Sequence, residues 1–400
     1  MIVTILAAGK GKRMRPLTDT RLKGSMPIHN IPLLVHLANQ LEKTGYMDKL
    51  VLVISPWQKK AMKQLFSKTI YSHKVHITIQ DPPKGTGDAV AKAEPFIENT
   101  TQCLVLNGDI NTDLCSMVPK ILKHHNKLNA KCTMLVFPGQ GTRYGLLNVT
   151  SDGEVLDIKE KVQAQEIGTD IGYINAGVYL FEPEIFDCIK KTPLSKRGEY
   201  EITDSISLLA KKGIIGAVIT DKWMSLENPL DLFKAQSYFD IDPTLLNMQF
   251  HSGGEIGFKA ANDIYFDSET EATFSSIFVE GPVLIGQGTL IESQTKIGPN
   301  VYLGRNCEIG FKTEIVNSLV MNDSRIGDNC LIRNLISAED ILIGRKVKLL
   351  PAIEKANNLA NYIVLGGKTI IGNETEILNG LKIKAHSVIN KESEIKSDYK

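Results

Sequence analysis

At 400 residues the chain exceeds one ordinary domain of about 150 residues and holds material for two or three. Its 42% hydrophobic and 23% charged content is that of a globular protein, and 46 Lys+Arg against 45 Asp+Glu leave a net charge of +1. That balance excludes a global pull toward nucleic acid or an anionic membrane, so any anion site must be local.

The first apolar run, IVTIL, is too short for a signal-peptide core or a membrane span, and no later run approaches the ~18 apolar residues a span needs. Six scattered cysteines, with no C-x-x-C pair and no zinc-type histidine spacing, predict a reduced, cytoplasmic compartment. Up to about residue 240, short apolar runs alternate with helical patterns: IVTIL then PLLVHLANQLEKTG, LVLVIS then a helix through residue 68, VHITIQ then GTGDAVAKAEPFI, CLVLNGD then a helix to about 127. This alternation predicts an α/β domain, Rossmann-like, with a mixed, mostly parallel sheet. In such sheets ligands bind at the carboxyl ends of strands, which singles out the glycine loop after IVTIL, the segment QDPPKGTGD, and Asp109.

Beyond about residue 275 the period changes. Ile285, Ile291, Ile297, Leu303, Ile309 and Ile315 recur every sixth position, and the pattern returns at Ile326, Ile332, Ile371, Ile377, Ile383 and Ile389. A hexapeptide period predicts a parallel β-helix, in which one aliphatic side chain per face fills each triangular coil. The register lapses in PAIEKANNLAN, read as a loop leaving one corner. The expected domains are residues 1–240, a connector at 241–272, and the β-helix at 273–395.

The loop AAGKGKR allows close backbone approach at its glycines, and successive N–H groups with Lys10, Lys12, Arg13 and Arg15 make an anion cradle. A lone G-x-G is more often a plain turn. Met14 three residues after Gly11 breaks the dinucleotide fingerprint, and no G-K-[ST] closes a Walker loop, which disfavours a hydride-transfer enzyme.

LAAGKGKRMRPLT followed by K-x-x-x-P-I resembles the opening signature of the sugar-1-phosphate nucleotidyltransferases. QDPPKGTGDAV, LVLNGD, YGLLNV, IKEK, INAGVYLF, GEYEITD and W-M-x-x-x-x-P follow in that family's order. The tail extends the likeness to its two-domain members with a left-handed β-helix, which include the bifunctional uridylyltransferase/acetyltransferase acting on glucosamine 1-phosphate and its archaeal relatives. The resemblance implies attack of a sugar 1-phosphate on the α-phosphorus of an NTP, with pyrophosphate leaving. It implies that Leu6, Ala8, Gly9, Gly11 and Arg13 hold the nucleotide, that Lys23 meets the α-phosphate, and that Gln80, Gly85 and Thr86 read the base. It further implies Asp109 as a Mg²⁺ ligand, Gly145, Glu160 and Asn175 on the sugar, and Lys161 on its phosphate. UTP or dTTP is favoured by Q-x-x-x-x-G-T-G, while LNGDI-x-TDL leaves GTP open. The partners implied are an NTP and a hexose 1-phosphate, with a homo-oligomer, trimer or larger, through the β-helix.

The chain departs from the family pattern W-x-D-x-G-x-P, having Ser225 for the second metal carboxylate and Glu227 for the glycine. Leu22 and Val162 replace prolines. These departures keep open a catalytically weakened paralogue that binds nucleotide or NDP-sugar and regulates a partner. In the tail, Asp328 falls near the relatives' acetyl-transfer histidine, and His386 is the only histidine past residue 251. Acetyl transfer is therefore the less favoured alternative.

Overall fold

A computed structural model describes residues 1–97, 102–139, 146–159, 172–239, 248–251, 264–267, 276–350, 358–378 and 380–395. In chain order the first elements are β1 (Ile2–Leu6), β2 (Pro27–Ile28), β3 (Ile31–Pro32), α1 (Leu33–Lys43), β4 (Lys49–Ile54), α2 (Lys59–Phe66), β5 (Val75–Ile79) and α3 (Thr86–Ala91). There follow β6 (Cys103–Asn107), β7 (Ile110–Thr112), α4 (Leu114–Leu128), β8 (Cys132–Gly139), β9 (Leu146–Val149), β10 (Val155–Lys159) and β11 (Gly172–Phe181). Then come α5 (Ile185–Lys191), α6 (Ile202–Leu209), β12 (Ile215–Ile219), β13 (Trp223–Ser225) and α7 (Pro229–Tyr238). The chain packs as two units: Met1–Gly9 with Leu33–Ser225, and Lys10–Pro32 with Leu226–Lys400.

In the first unit, the described strands form a mixed sheet in the order β10-β9-β11-β6-β1-β4-β5, with β8 beside β11 and β12 beside β8. The run β6-β1-β4-β5 is parallel throughout. Its three inner strands are apolar runs because both faces are covered, and Val3, Leu52 and Val105 are buried. Helix α4 shows how local sequence sets the ends. The Asp113 side chain accepts from Ser116 N at 3.1 Å as N-cap, and Asn129 closes the helix in the left-handed region at φ 47°.

In the second unit, three parallel sheets wind into a left-handed β-helix. Interior residues stack in columns: Ile297, Ile315, Ile332, Leu349, Ile377 and Ile395 in one, Ile291, Ile309, Ile326, Ile343, Ile371 and Ile389 in another. Each buried isoleucine contributes about 1.5–3 kcal/mol relative to exposure. The third column runs Ile285, Leu303, Val320, Ser337, Leu365 and Ile383, so the hexapeptide step shortens by one between Ile315 and Val320 and again between Ile332 and Ser337. Asn317 and Asn334 make those shortened corners at φ 50° and 51°, where asparagine tolerates the left-handed backbone. Asn317 Nδ2 donates to Asn334 Oδ1 at 2.6 Å and to the Tyr362 hydroxyl at 3.0 Å. Within the span 241–272, Met248–His251 pairs antiparallel with Ile264–Asp267, which joins the parallel ladder at Val283–Ile285. Much of the expected loop in PAIEKANNLAN, residues 351–357, lies outside the described residues.

Candidate active site

The end of β1 is bound on both sides. Ala7 N donates to Val53 O at 2.8 Å, and Gly108 N donates to Leu6 O at 2.8 Å. A Cβ on Gly108 would lie 2.8 Å from that same carbonyl, so the close approach of Leu6 and the backbone just before Asp109 requires glycine there. Ser55 Oγ donates to Ala8 O at 2.9 Å and Gln58 Nε2 donates to Ala7 O at 3.0 Å. These two supporting residues were not singled out from the sequence, although S-P-W-Q carries a capping-box signal that the structure bears out. A Cβ on Gly9 would meet nothing within 4 Å.

Gln80, Gly85 and Thr86 come together in one loop. Gln80, buried, donates through Nε2 to Gly85 O at 2.9 Å and Asp88 Oδ2 at 2.8 Å. Gly85 sits at φ 109°, a conformation open essentially to glycine, and a Cβ there would fall 2.5 Å from Tyr200 O. Thr86 Oγ1 accepts from Ile202 N at 3.0 Å, and Gly87 N donates to Tyr200 O at 2.7 Å. The segment GEYEITD thus braces this loop. Within it, burial first, and then the Glu201 charge, raise the Asp204 carboxyl above its ordinary value.

Asp109 precedes β7, whose partner β13 places Ser225 opposite Ile110. Ser225 thus lies one pairing step from Asp109. Among the described residues no group of three or more His, Cys, Asp or Glu is placed to hold a metal. Asp109 brings one carboxylate to this strand end, an oxygen donor of the kind a hard cation takes when water completes its shell. Nearby, β11 carries a bulge between Asn175 and Tyr179. Asn175 Nδ2 donates to the Tyr179 hydroxyl at 2.8 Å, its Oδ1 accepts from Gly177 N at 3.0 Å, and Trp223 Nε1 donates to Ala176 O at 2.8 Å. Gly145, Glu160 and Lys161 lie outside the described residues.

Gly11, Arg13 and Lys23 belong to the second unit. Gly11, at φ 62°, opens a short 3-10 turn over Lys12–Met14, and its carbonyl accepts from Thr18 Oγ1 at 2.9 Å. A Cβ on Gly11 would stand 3.0 Å from Lys23 Cβ, so the two positions are packed together. Arg13 Nη1 donates to Glu227 Oε2 at 2.8 Å, which gives the residue replacing the family glycine a definite partner. Leu22, where the family has proline, holds φ −72°, within the range proline would fix.

Residues 2–242 match the nucleotidyl transferase family, and residues 279–399 match the GMPPB C-terminal domain. The chain is 27% identical over its whole length to 95% of the bifunctional protein GlmU of Methanococcus maripaludis strain C5. It is 27% identical over 96% of its length to 94% of the bifunctional sugar-1-phosphate nucleotidylyltransferase/acetyltransferase of Sulfurisphaera tokodaii. Over 60% of its length, and 54% of the relative's, identity to GlmU of M. maripaludis strain C7 reaches 30%. Matched along more than half of its length, the chain belongs to the nucleotidyl transferase family.

Proposed function

We propose that the protein transfers a nucleotidyl group from an NTP to a hexose 1-phosphate, giving NDP-sugar and pyrophosphate. The observation that carries this reading is the pair of adjacent strand ends in the first unit, where Asp109 follows the strand tied through Gly108 to the Leu6 carbonyl, and Gly9 follows from β1. In the reaction, an oxygen of the sugar phosphate attacks the α-phosphorus and the bond to the bridging oxygen breaks, so pyrophosphate carries away its charge. Such chemistry asks for positioning and charge neutralisation more than for covalent help.

Leu6, Ala8, Gly9 and Gly11 would line the triphosphate, and Arg13 and Lys23 would offset its charge. Gln80, Gly85 and Thr86 would meet the base. Beyond its bonds among the described residues, Asn175 has one amide hydrogen and one lone pair that would meet a sugar hydroxyl. Asp109, with Ser225 beside it, would hold Mg²⁺, which when bound supplies charge neutralisation at the phosphates.

Ser225 favours one second reading, a paralogue that binds nucleotide without turnover. For acetyl transfer, the activity printed in relatives' names, this chain offers little: Asp328 Oδ1 accepts from Phe311 N at 3.1 Å, and His386 stands exposed in a left-handed turn. Six unbridged cysteines, five of them buried, support a reduced, cytoplasmic setting. An assembly through the β-helix completes the proposal, and sizing of the purified chain tests it.

The deciding experiment is pyrophosphate release with Mg²⁺ across four NTPs and several sugar 1-phosphates, with Asp109→Ala and Lys23→Ala as controls. Turnover lost in both variants establishes the enzyme and names its base and sugar. Nucleotide binding without turnover, with activity gained in Ser225→Asp, selects the paralogue. Thiol release from acetyl-CoA would revive the bifunctional reading.

A further inference from the structure

Within the second unit, the segment 10–32 is held by one edge of the β-helix through successive coils. Asn30 Nδ2 donates to Leu303 O at 3.0 Å. Arg21 Nη1 reaches Met321 Sδ at 3.9 Å and Glu339 Oε2 at 3.5 Å. Gly367 faces Thr20 so closely that a Cβ there would stand 2.4 Å from Thr20 Oγ1. Leu303, Val320, Ser337 and Leu365 are stacked partners in one column, and Met321, Glu339 and Gly367 follow the last three by one or two residues. The four contacts therefore come from the same corner of four coils. Further along the segment, His29 N donates to Gln236 Oε1 at 2.8 Å, and Phe233 of the same helix packs on Tyr302 and Tyr362.

The same segment is tight internally. Thr18 bonds the Gly11 carbonyl, Gly11 packs against Lys23, and Lys23 follows Arg21 by two residues. A shift at Thr20 or Arg21 reaches Gly11 and Lys23 through the Thr18 bond and this packing. The Arg21 and Glu339 side chains are 18% and 25% exposed, so their attraction is less screened than that of a surface pair.

We infer that Arg21 and Glu339 are positioning residues, through which the β-helix corner sets the geometry of the segment carrying Gly11 and Lys23. The consequence for NTP affinity rests on the proposed nucleotidyl transfer; the holding of the segment does not.

The test uses the full chain with Glu339→Arg, which opposes two like charges, and the exchanged pair Arg21→Glu with Glu339→Arg. Hydrogen exchange is read over residues 10–32, 33–97 and 276–350, alongside binding of each Mg-NTP and the KM and kcat of pyrophosphate release. Charge reversal at one part-buried pair is expected to weaken NTP binding about tenfold, in KM more than kcat. Exchange should rise in 10–32 and hold at the wild-type level in the other two stretches, and the exchanged pair should restore both readings. A second variant, Gly367→Ala, wedges Thr20 without touching a charge and should raise exchange in the same segment. Wild-type exchange in 10–32 for both Glu339→Arg and Gly367→Ala overturns the inference. So does a loss spread through the coils that the exchanged pair fails to rescue, since that marks general damage. If the wild type binds no NTP the proposed activity fails, and exchange in 10–32 still decides whether the corner holds the segment.

Discussion

The two units use their backbones in opposite ways. In the sheet of the first unit each strand end is different: Leu6 is crossed by Gly108, Gly85 is pressed on Tyr200, and Asn175 sits on a bulge. In the β-helix the coils repeat with two shortened steps, the stacked interior columns are aliphatic apart from Ser337, and a residue in the left-handed region, Asn or Asp at several of them, turns the corners. Singular positions concentrate chemistry, whereas repetition spreads stability. A substitution at a singular strand end of the first unit should therefore act on catalysis, and one inside the coils of the β-helix on folding.

The largest expected effect falls on the singular side. Asp109→Asn keeps shape and removes charge, and the lost electrostatic stabilisation should lower kcat/KM by about 10³-fold, ~4 kcal/mol. The melting temperature should move little. Pyrophosphate release and a thermal melt on the same preparation check both halves, and unchanged turnover would remove Asp109 from the proposed site.

Ile332→Ala makes the converse claim. Ile332 is fully buried between Ile315 and Leu349, and its truncation should cost about 3 kcal/mol of stability through lost transfer and a residual cavity. Urea unfolding measures this, while the KM for nucleotide should hold. A KM that rises as steeply as stability falls would erase the contrast between the units.

The repeat was legible because its signal is local and periodic: six isoleucines or leucines at a constant step announce a coil before any contact is known. The shortened coils were not, since Val320 and Ser337 break the step by one and only the stacked register shows that they keep the same interior column. In the first unit, IVTIL and CLVLN became strands and placed the glycine loop and Asp109 at their ends. The Arg13–Glu227 pair joins residues 214 apart, and the Thr20–Gly367 approach is longer still; neither has a period or a turn signal to betray it. Leu22 stands where the resemblance expects proline, and its surroundings hold a proline-like φ without the ring.

Gly85→Ala lies between the extremes. The φ of 109° and the Tyr200 carbonyl both oppose a side chain, and the strain, about 2 kcal/mol, should appear as weaker nucleotide binding because the loop that yields also carries Gln80 and Thr86. Titration calorimetry with the preferred NTP should show a Kd raised about tenfold or more, with a smaller change in melting temperature. Full loss of stability with intact affinity would place Gly85 in the fold and outside recognition.

The smallest effect is a pH dependence confined to the first unit. His125 on α4 is 2% exposed, with Nδ1 2.9 Å from Thr133 Oγ1 and Nε2 3.1 Å from Glu182 Oε1. Burial is the leading influence and lowers its pKa below the ordinary 6.5, against a smaller opposing pull from Glu182. The ring is accordingly neutral near pH 7, with Nε2–H donating to Glu182 and Nδ1 accepting from Thr133. Because the folded value lies below the unfolded one, the unfolded chain takes up a proton first as pH falls. Stability should be level above about pH 7 and decline as pH drops below 6.5 toward the folded pKa, with a slope of at most ~1.4 kcal/mol per pH unit. Urea unfolding of the wild type and His125→Gln at pH 7.5, 6.5 and 5.5 isolates this contribution, since other titrating groups are common to both. The variant should lose stability at pH 7.5 and show a flatter decline. An equal decline in both proteins would mean that the Glu182 carboxylate cancels burial, and a steeper decline in the variant would mean that it outweighs burial and that His125 enters the fold charged.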